Sequence, residues 1–124
     1  MAAPVVLIVD DDADFLRRAA EQLKAEGYVV RAANDLLTFH VFLEKGGFDV
    51  VVVDEHLPEM LGRDLVVYLK EGRKLTAPIV LSTIFQSARG AQLAARCGAD
   101  ASAPKGPTLA ELVREVKRLR PLPA

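Results

Sequence analysis

Three consecutive carboxylates, Asp10, Asp11 and Asp12, close the apolar run Val5–Val9, and a second run, 50–53, ends as abruptly at Asp54. Two buried-strand patterns that both terminate on acids imply one pocket at the carboxyl edge of a sheet. Negative charges packed closely raise each other's pKa, so such a cluster is unfavourable unless something answers it. A bound divalent cation, a nearby lysine, or both would do so. The chemistry expected first is therefore that of a hard cation on an all-oxygen site.

The elements that must position these acids follow from the hydrophobic pattern. Segments 5–9, 28–32, 50–53, 79–82 and about 101–103 read as short strands. The first, third and fourth are continuously apolar, as in a parallel sheet covered on both faces. Helical patterns lie between them. Residues 14–26 place Leu16, Ala19, Ala20 and Leu23 on one face and stop at Gly27, a left-handed cap position. Residues 35–45 carry too many apolar groups for a single stripe, 61–71 form a third helix, and 87–97 a fourth that contains Gly90. In the last helix Thr108 and Glu111 match a capping box, and Leu109, Leu112, Val113, Val116 and Leu119 repeat at helical spacing until Pro121.

Five strands alternating with five helices predict an α/β chain: a (βα)5 three-layer sandwich around a doubly wound parallel sheet. Right-handed crossovers in the flavodoxin-like order 2-1-3-4-5 place strands one and three side by side. Ligands of such sheets bind at the carboxyl ends where the order switches, which is where Asp10, Asp11, Asp12 and Asp54 fall. At 124 residues the chain is expected to be one domain, with a core over 4–119 and a tail or linker stub over 120–124. A formal net charge of −1 leaves no electrostatic footprint for direct nucleic-acid binding. The apolar runs are strand-length, no signal peptide opens the chain, and Cys97 is the only cysteine, so no membrane span and a cytoplasmic location are expected.

Taken together, four collinear pieces resemble the response-regulator receiver domain: Val9-Asp10-Asp11-Asp12; the stretch from Asp54-Glu55-His56-Leu57-Pro58 to Gly62; Pro78 to Thr83; and Gly98-Ala99-Asp100 leading to Lys105. The resemblance implies a two-component signalling role. Asp54 matches the phosphoacceptor, whose carboxylate would take a phosphoryl group as an acyl phosphate. Asp11 matches the direct Mg²⁺ ligand and Asp10 the neighbour that holds the ion through water, while His56 would offer its backbone carbonyl. Thr83 matches the switch hydroxyl. Lys105 matches the ammonium that pairs with the acceptor and then with the phosphoryl group. The implied partners are a sensor histidine kinase or phosphotransfer protein upstream and a target protein or output domain downstream. The protein would catalyse nothing beyond its own phosphotransfer and dephosphorylation.

Other polar residues have plainer readings. Asp12 is expected to cap the first helix. Asp64 and Asp100 read as surface acids, His40 as a half-buried helix residue and Cys97 as a small apolar packing group. Several positions depart from the resemblance or bear on its mechanism. Ile84 replaces a small residue after the hydroxyl and is expected to narrow the approach to Asp54. Phe85 and His56 flank the acceptor, where the family tunes loss of the phosphoryl group. Ser102 replaces the aromatic that usually rotates inward, and Gly106-Pro107 replaces the proline that follows the lysine. The chain is thus expected to be phosphorylated but to switch atypically through its α4-β5-α5 surface. A constitutive docking module that works without phosphate is the alternative. A flavin or nucleotide enzyme on the same fold is the third reading, disfavoured because three aspartates stand where a phosphate loop would be.

Overall fold

The computed structural model describes residues 2–85 and 87–123. Its elements are β1 (Val5–Val9), α1 (Ala13–Glu26), β2 (Val29–Ala33), α2 (Leu36–Lys45), β3 (Val50–Asp54), α3 (Gly62–Val67), a π-helical turn over Tyr68–Gly72, β4 (Ile79–Thr83), α4 (Ser87–Cys97), β5 (Ala101–Pro104) and α5 (Ala110–Leu119). All strands are parallel and the order is β2-β1-β3-β4-β5, the flavodoxin-like order expected from the alternation. β1 and β3 are neighbours, with Val9 opposite Val53, so the acids that follow both strands emerge together.

Strand alternation divides the core into two layers. Odd-numbered Leu7, Val9, Val51, Val53, Ile79 and Leu81 face α2, α3 and α4, where Phe39, Leu65 and Leu69 are fully buried or nearly so. Even-numbered Val6, Ile8, Val50, Val52 and Val80 face α1 and α5, packing on Phe15, Leu23 and Val116. β3 and β4 are buried along their whole length, which is why they read as unbroken apolar runs. β2 is an edge strand and is half exposed.

The helix ends show where local signals held. Asp12 caps α1 as expected, its Oδ1 accepting from the amides of Asp14 at 3.0 Å and Phe15 at 3.2 Å. Gly27 ends α1 at φ 117°, and the amides of Gly27 and Tyr28 return to the carbonyls of Lys24 and Leu23. That closure uses the Tyr28 amide for the helix, so β2 begins one residue later than the pattern predicts. The capping box expected at Thr108 and Glu111 does not form. α5 starts at Ala110 with no side-chain cap, because Leu109 occupies the cap position and packs against the core instead. The helix expected over 61–71 is α-helical only to Val67; the Arg73 amide then reaches back five residues to the Tyr68 carbonyl at 2.9 Å, a π-type closure. Residues 120–122, expected to fray or to begin a linker, pack back on the fold. The Tyr28 hydroxyl donates to the Arg120 carbonyl at 2.6 Å, and Leu122 packs on the α1/α5 layer.

Candidate functional site

The same alternation that builds the core decides which polar side chains meet at the carboxyl edge. Asp10, Asp54 and Lys105 continue the even face of β1, the even face of β3 and the odd face of β5, all on the α1/α5 side of the sheet. Asp10 and Asp54 are 1 % and 4 % exposed. The Lys105 ammonium lies 2.7 Å from Asp10 Oδ2 and 3.0 Å from Asp54 Oδ1. It also sits 4.6 Å from the centre of the buried Phe15 ring, which gives the cation an aromatic floor. Backbone bonds hold each piece. The Asp10 amide donates to Ala33 O at 3.1 Å, and the Lys105 amide to Thr83 O at 2.6 Å. Asp10 Oδ1 accepts from the Asp12 amide at 2.9 Å, and Asp54 Oδ1 from the His56 amide at 3.3 Å.

Two buried carboxylates share one ammonium, and the charges do not balance. Burial, and then the neighbouring Asp10, push the Asp54 carboxyl up to about 6 against the pull of Lys105. Burial works against the charge of Lys105, but Asp10 and Asp54 together outweigh it and hold its pKa above the usual lysine range. Asp10 Oδ2 is buried, and its close polar neighbour is the Lys105 ammonium at 2.7 Å, which it shares with Asp54.

These features fit a hard divalent cation. Asp10, Asp11 and Asp54 each offer one carboxylate oxygen within 4.8 Å of the others, and Asp11 is exposed, giving solvent access. All donors are oxygens, and buried Asp10 Oδ2 has only a share of one ammonium to answer its charge, an arrangement suited to Mg²⁺, which takes a few carboxylates and keeps several waters. A cation there would offset the like-charge repulsion that Lys105 alone does not cancel.

The odd face carries a second polar pair. Glu55, 3 % exposed, accepts at Oε1 from the Thr83 hydroxyl at 2.6 Å, and the Thr83 oxygen accepts from the Phe85 amide at 3.1 Å. Thr83 is therefore at the site's edge with its proton engaged by Glu55, and alternation explains it: 51-53-55 and 79-81-83 point to the α2/α3/α4 layer. Sequence reasoning gives Glu55 no role, although strand parity places it on the face opposite Asp54. It also gave no role to Phe15. Gly62, too, was seen only as part of a motif. Its amide donates to Glu55 O at 2.6 Å, and a Cβ built on it would lie 2.0 Å from Asp54 O.

Residues 6–117 match the family described as the response regulator receiver domain. The chain belongs to that family. Receivers are signalling domains of two-component systems, and this one is similar over 105 residues to the sensor histidine kinase RcsC of Salmonella typhimurium, at 32% identity, covering 85% of this chain. The match takes in only 11% of RcsC, so the chain spans about a tenth of that relative's length. Its fold is similar to the chemotaxis protein CheY4 of Vibrio cholerae, with a TM-score of 0.83 and 26% identity over 95% of this chain and 99% of that one. It is also similar to TrrA of Thermotoga maritima in complex with Mg(2+)-BeF, with a TM-score of 0.80 and 26% identity over 94% and 98% of the two chains.

The His56 side chain is 61 % exposed and its imidazole lies outside the acidic cluster. Ile84 is 65 % exposed, so most of its side chain stands in solvent and little of it packs down on the acids. Phe85 is half-buried beneath the Arg89 guanidinium, 4.5 Å from the ring centre. Ser102 is half-buried and lies against Gly90, whose built Cβ would be 3.2 Å from Ser102 Oγ. α4 thus comes close to β4 and β5 where an aromatic would otherwise need room. Of the plainer readings, Asp64 is exposed, His40 is half-buried beside Tyr68, and Cys97 is buried in the core with its thiol pushed up by burial. Asp100 is a surface acid with a structural task, since its Oδ2 pairs with Lys70 at 2.7 Å and accepts from the Ile79 amide at 2.8 Å. Among the described residues, no helix is long and apolar enough to cross a membrane.

Proposed function

We propose that this receiver accepts a phosphoryl group on Asp54 from a sensor histidine kinase or phosphotransfer protein and passes the change to a target through its α4-β5-α5 surface. In the transfer an Asp54 carboxylate oxygen bonds to phosphorus, the phosphorus–nitrogen bond of a phosphohistidine breaks, and the imidazole leaves with the bonding pair. With its pKa near 6, Asp54 is ionised at neutral pH and able to attack. Lys105 lies between Asp10 and Asp54, so its charge is in place for the oxygens of an incoming phosphoryl group without reorganisation. Asp10, Asp11, Asp54 and the His56 backbone carbonyl would hold Mg²⁺, which when bound supplies charge neutralisation at those oxygens. Thr83 would contribute its hydroxyl once that group leaves Glu55. The arrangement of Asp10, Asp54 and Lys105 carries this reading.

A small-molecule phosphodonor with Mg²⁺ tests it by intact mass. Wild type is expected to gain one phosphoryl group and Asp54→Asn none. Lys105→Met is expected to react about a hundredfold more slowly, the usual effect of losing one preorganised charge partner. No mass gain on wild type, or an undiminished gain in Asp54→Asn, would remove Asp54 as the acceptor. Partner binding indifferent to both Asp54→Ala and phosphodonor would favour the constitutive docking module.

A further inference from the structure

We propose that Glu55 is a latch on the switch hydroxyl: its buried carboxylate holds the Thr83 proton and so sets the fraction of molecules in which Thr83 is free to reach a phosphoryl group on Asp54. The inference deepens the phosphoacceptor reading and rests on it for its consequence, but the latch itself is visible in the unphosphorylated protein.

A hydroxyl has one proton to donate. In this structure it goes to Glu55 Oε1 at 2.6 Å, between two side chains that are 3 % and 1 % exposed. Donation to Glu55 and donation to a phosphoryl oxygen are therefore mutually exclusive. The Thr83 methyl faces α4. Gly90 of α4 lies so close that a Cβ there would be 3.1 Å from Thr83 Cγ2. Turning the hydroxyl away from Glu55 rotates that methyl about the same bond, so release of the latch is felt at α4.

Glu55 also lacks a strong alternative partner. Lys105 is occupied with Asp10 and Asp54, and among the described residues the basic nitrogen nearest Glu55 is the exposed His56 Nδ1, 3.9 Å from the same oxygen. A buried carboxylate that loses its hydrogen-bond donor pays the desolvation of that oxygen in full. The equilibrium thus leans toward the latched rotamer. A ligand that needs the free hydroxyl binds more weakly by the fraction of molecules that are unlatched. Glu55 is a positioning residue that acts through Thr83.

The test uses beryllofluoride with Mg²⁺ as a phosphoryl mimic. Glu55→Met, which removes the acceptor and keeps the bulk, is expected to tighten beryllofluoride binding about tenfold. Glu55→Gln keeps an acceptor and removes the charge, so its gain is expected to be at most about threefold. In a Thr83→Val background the Met substitution is expected to shift affinity by less than about twofold, because the hydroxyl it would release is absent. Equal gains with and without the Thr83 hydroxyl, or equal gains from Gln and Met, would overturn the latch in favour of plain charge repulsion. A second readout needs no ligand: three-bond couplings that report Thr83 χ1 in the metal-free protein. Wild type and Glu55→Gln are expected to show a single rotamer and Glu55→Met an average of several; a single rotamer in Glu55→Met would also overturn the proposal. If no variant binds beryllofluoride while the rotamers respond as expected, the phosphoacceptor reading fails and the latch stands.

Discussion

In chelator-treated protein at pH 8, Asp54→Asn is expected to resist urea better than wild type by about 3 kcal/mol, even though it discards an ion pair to Lys105. The Asp54 carboxyl is raised from 3.8 to about 6 in the folded state, by burial first and by Asp10 second. A group with a raised folded pKa stabilises the fold when protonated. That contribution is complete below about pH 4, falls away as pH climbs toward 6, and is absent above it. Asparagine stays neutral throughout and mimics the protonated acid. The difference between the two proteins is therefore expected to open between about pH 4 and pH 6 and to stay constant above. Carboxylates remote from the Asp10–Asp54–Lys105 cluster are common to both proteins and cancel in the comparison. Mg²⁺ is expected to narrow the gap at pH 8 by stabilising wild type more, since a cation that binds only the native acidic cluster adds to its stability by mass action. Urea titrations at pH 4, 6 and 8 with and without Mg²⁺ read all of this; an Asp54→Asn protein less stable than wild type at pH 8 would mean that Lys105 outweighs burial and Asp10.

The acidic centre was legible because its signals are local and unambiguous. An apolar run stopped by acids has few readings in a parallel sheet, and 2-1-3-4-5 is the order that brings β1 and β3 together. That order alone pairs Asp10 with Asp54. The Thr83–Glu55 bond follows from the same alternation, because residues 55 and 83 both fall on the odd face of their strands, away from Asp54. The missed features depend on distance between elements. That Phe15 lies under Lys105 requires knowing how α1 sits on the sheet. The failed capping box at Thr108 shows local propensity yielding to burial, because Leu109 gains more by joining the core than the helix loses at its first turn. The π-helical turn after Val67 has no sequence signal that we can identify.

Gly62→Ala is the substitution expected to disturb this protein most for its size, costing about 3 kcal/mol or more. Its φ is unremarkable, so conformational strain is not the cause. The cause is approach. The first turn of α3 rests directly on the end of β3, and a Cβ at position 62 would fall 2.0 Å from Asp54 O and 2.7 Å from both Asp54 C and Glu55 Cα. All three are backbone atoms, which cannot turn aside as a side-chain tip can. To accept the methyl, α3 must lift from the strand, stretching the 2.6 Å bond from the Gly62 amide to Glu55 O and unseating Leu65, Val66 and Leu69 from the core. The same lift moves Asp54 against Asp10 and Lys105, so Mg²⁺ and beryllofluoride binding are expected to weaken together with stability. Gly90→Ala is the matched control. Its nearest neighbours are side-chain atoms at 3.1 and 3.2 Å, and the helix propensity of alanine offsets the crowding, so a change within about 1 kcal/mol is expected. If urea unfolding shows the two alanine variants equally mild, then β3 and α3 are not in backbone contact at Gly62, and Asp54 is not held in place from behind by that helix.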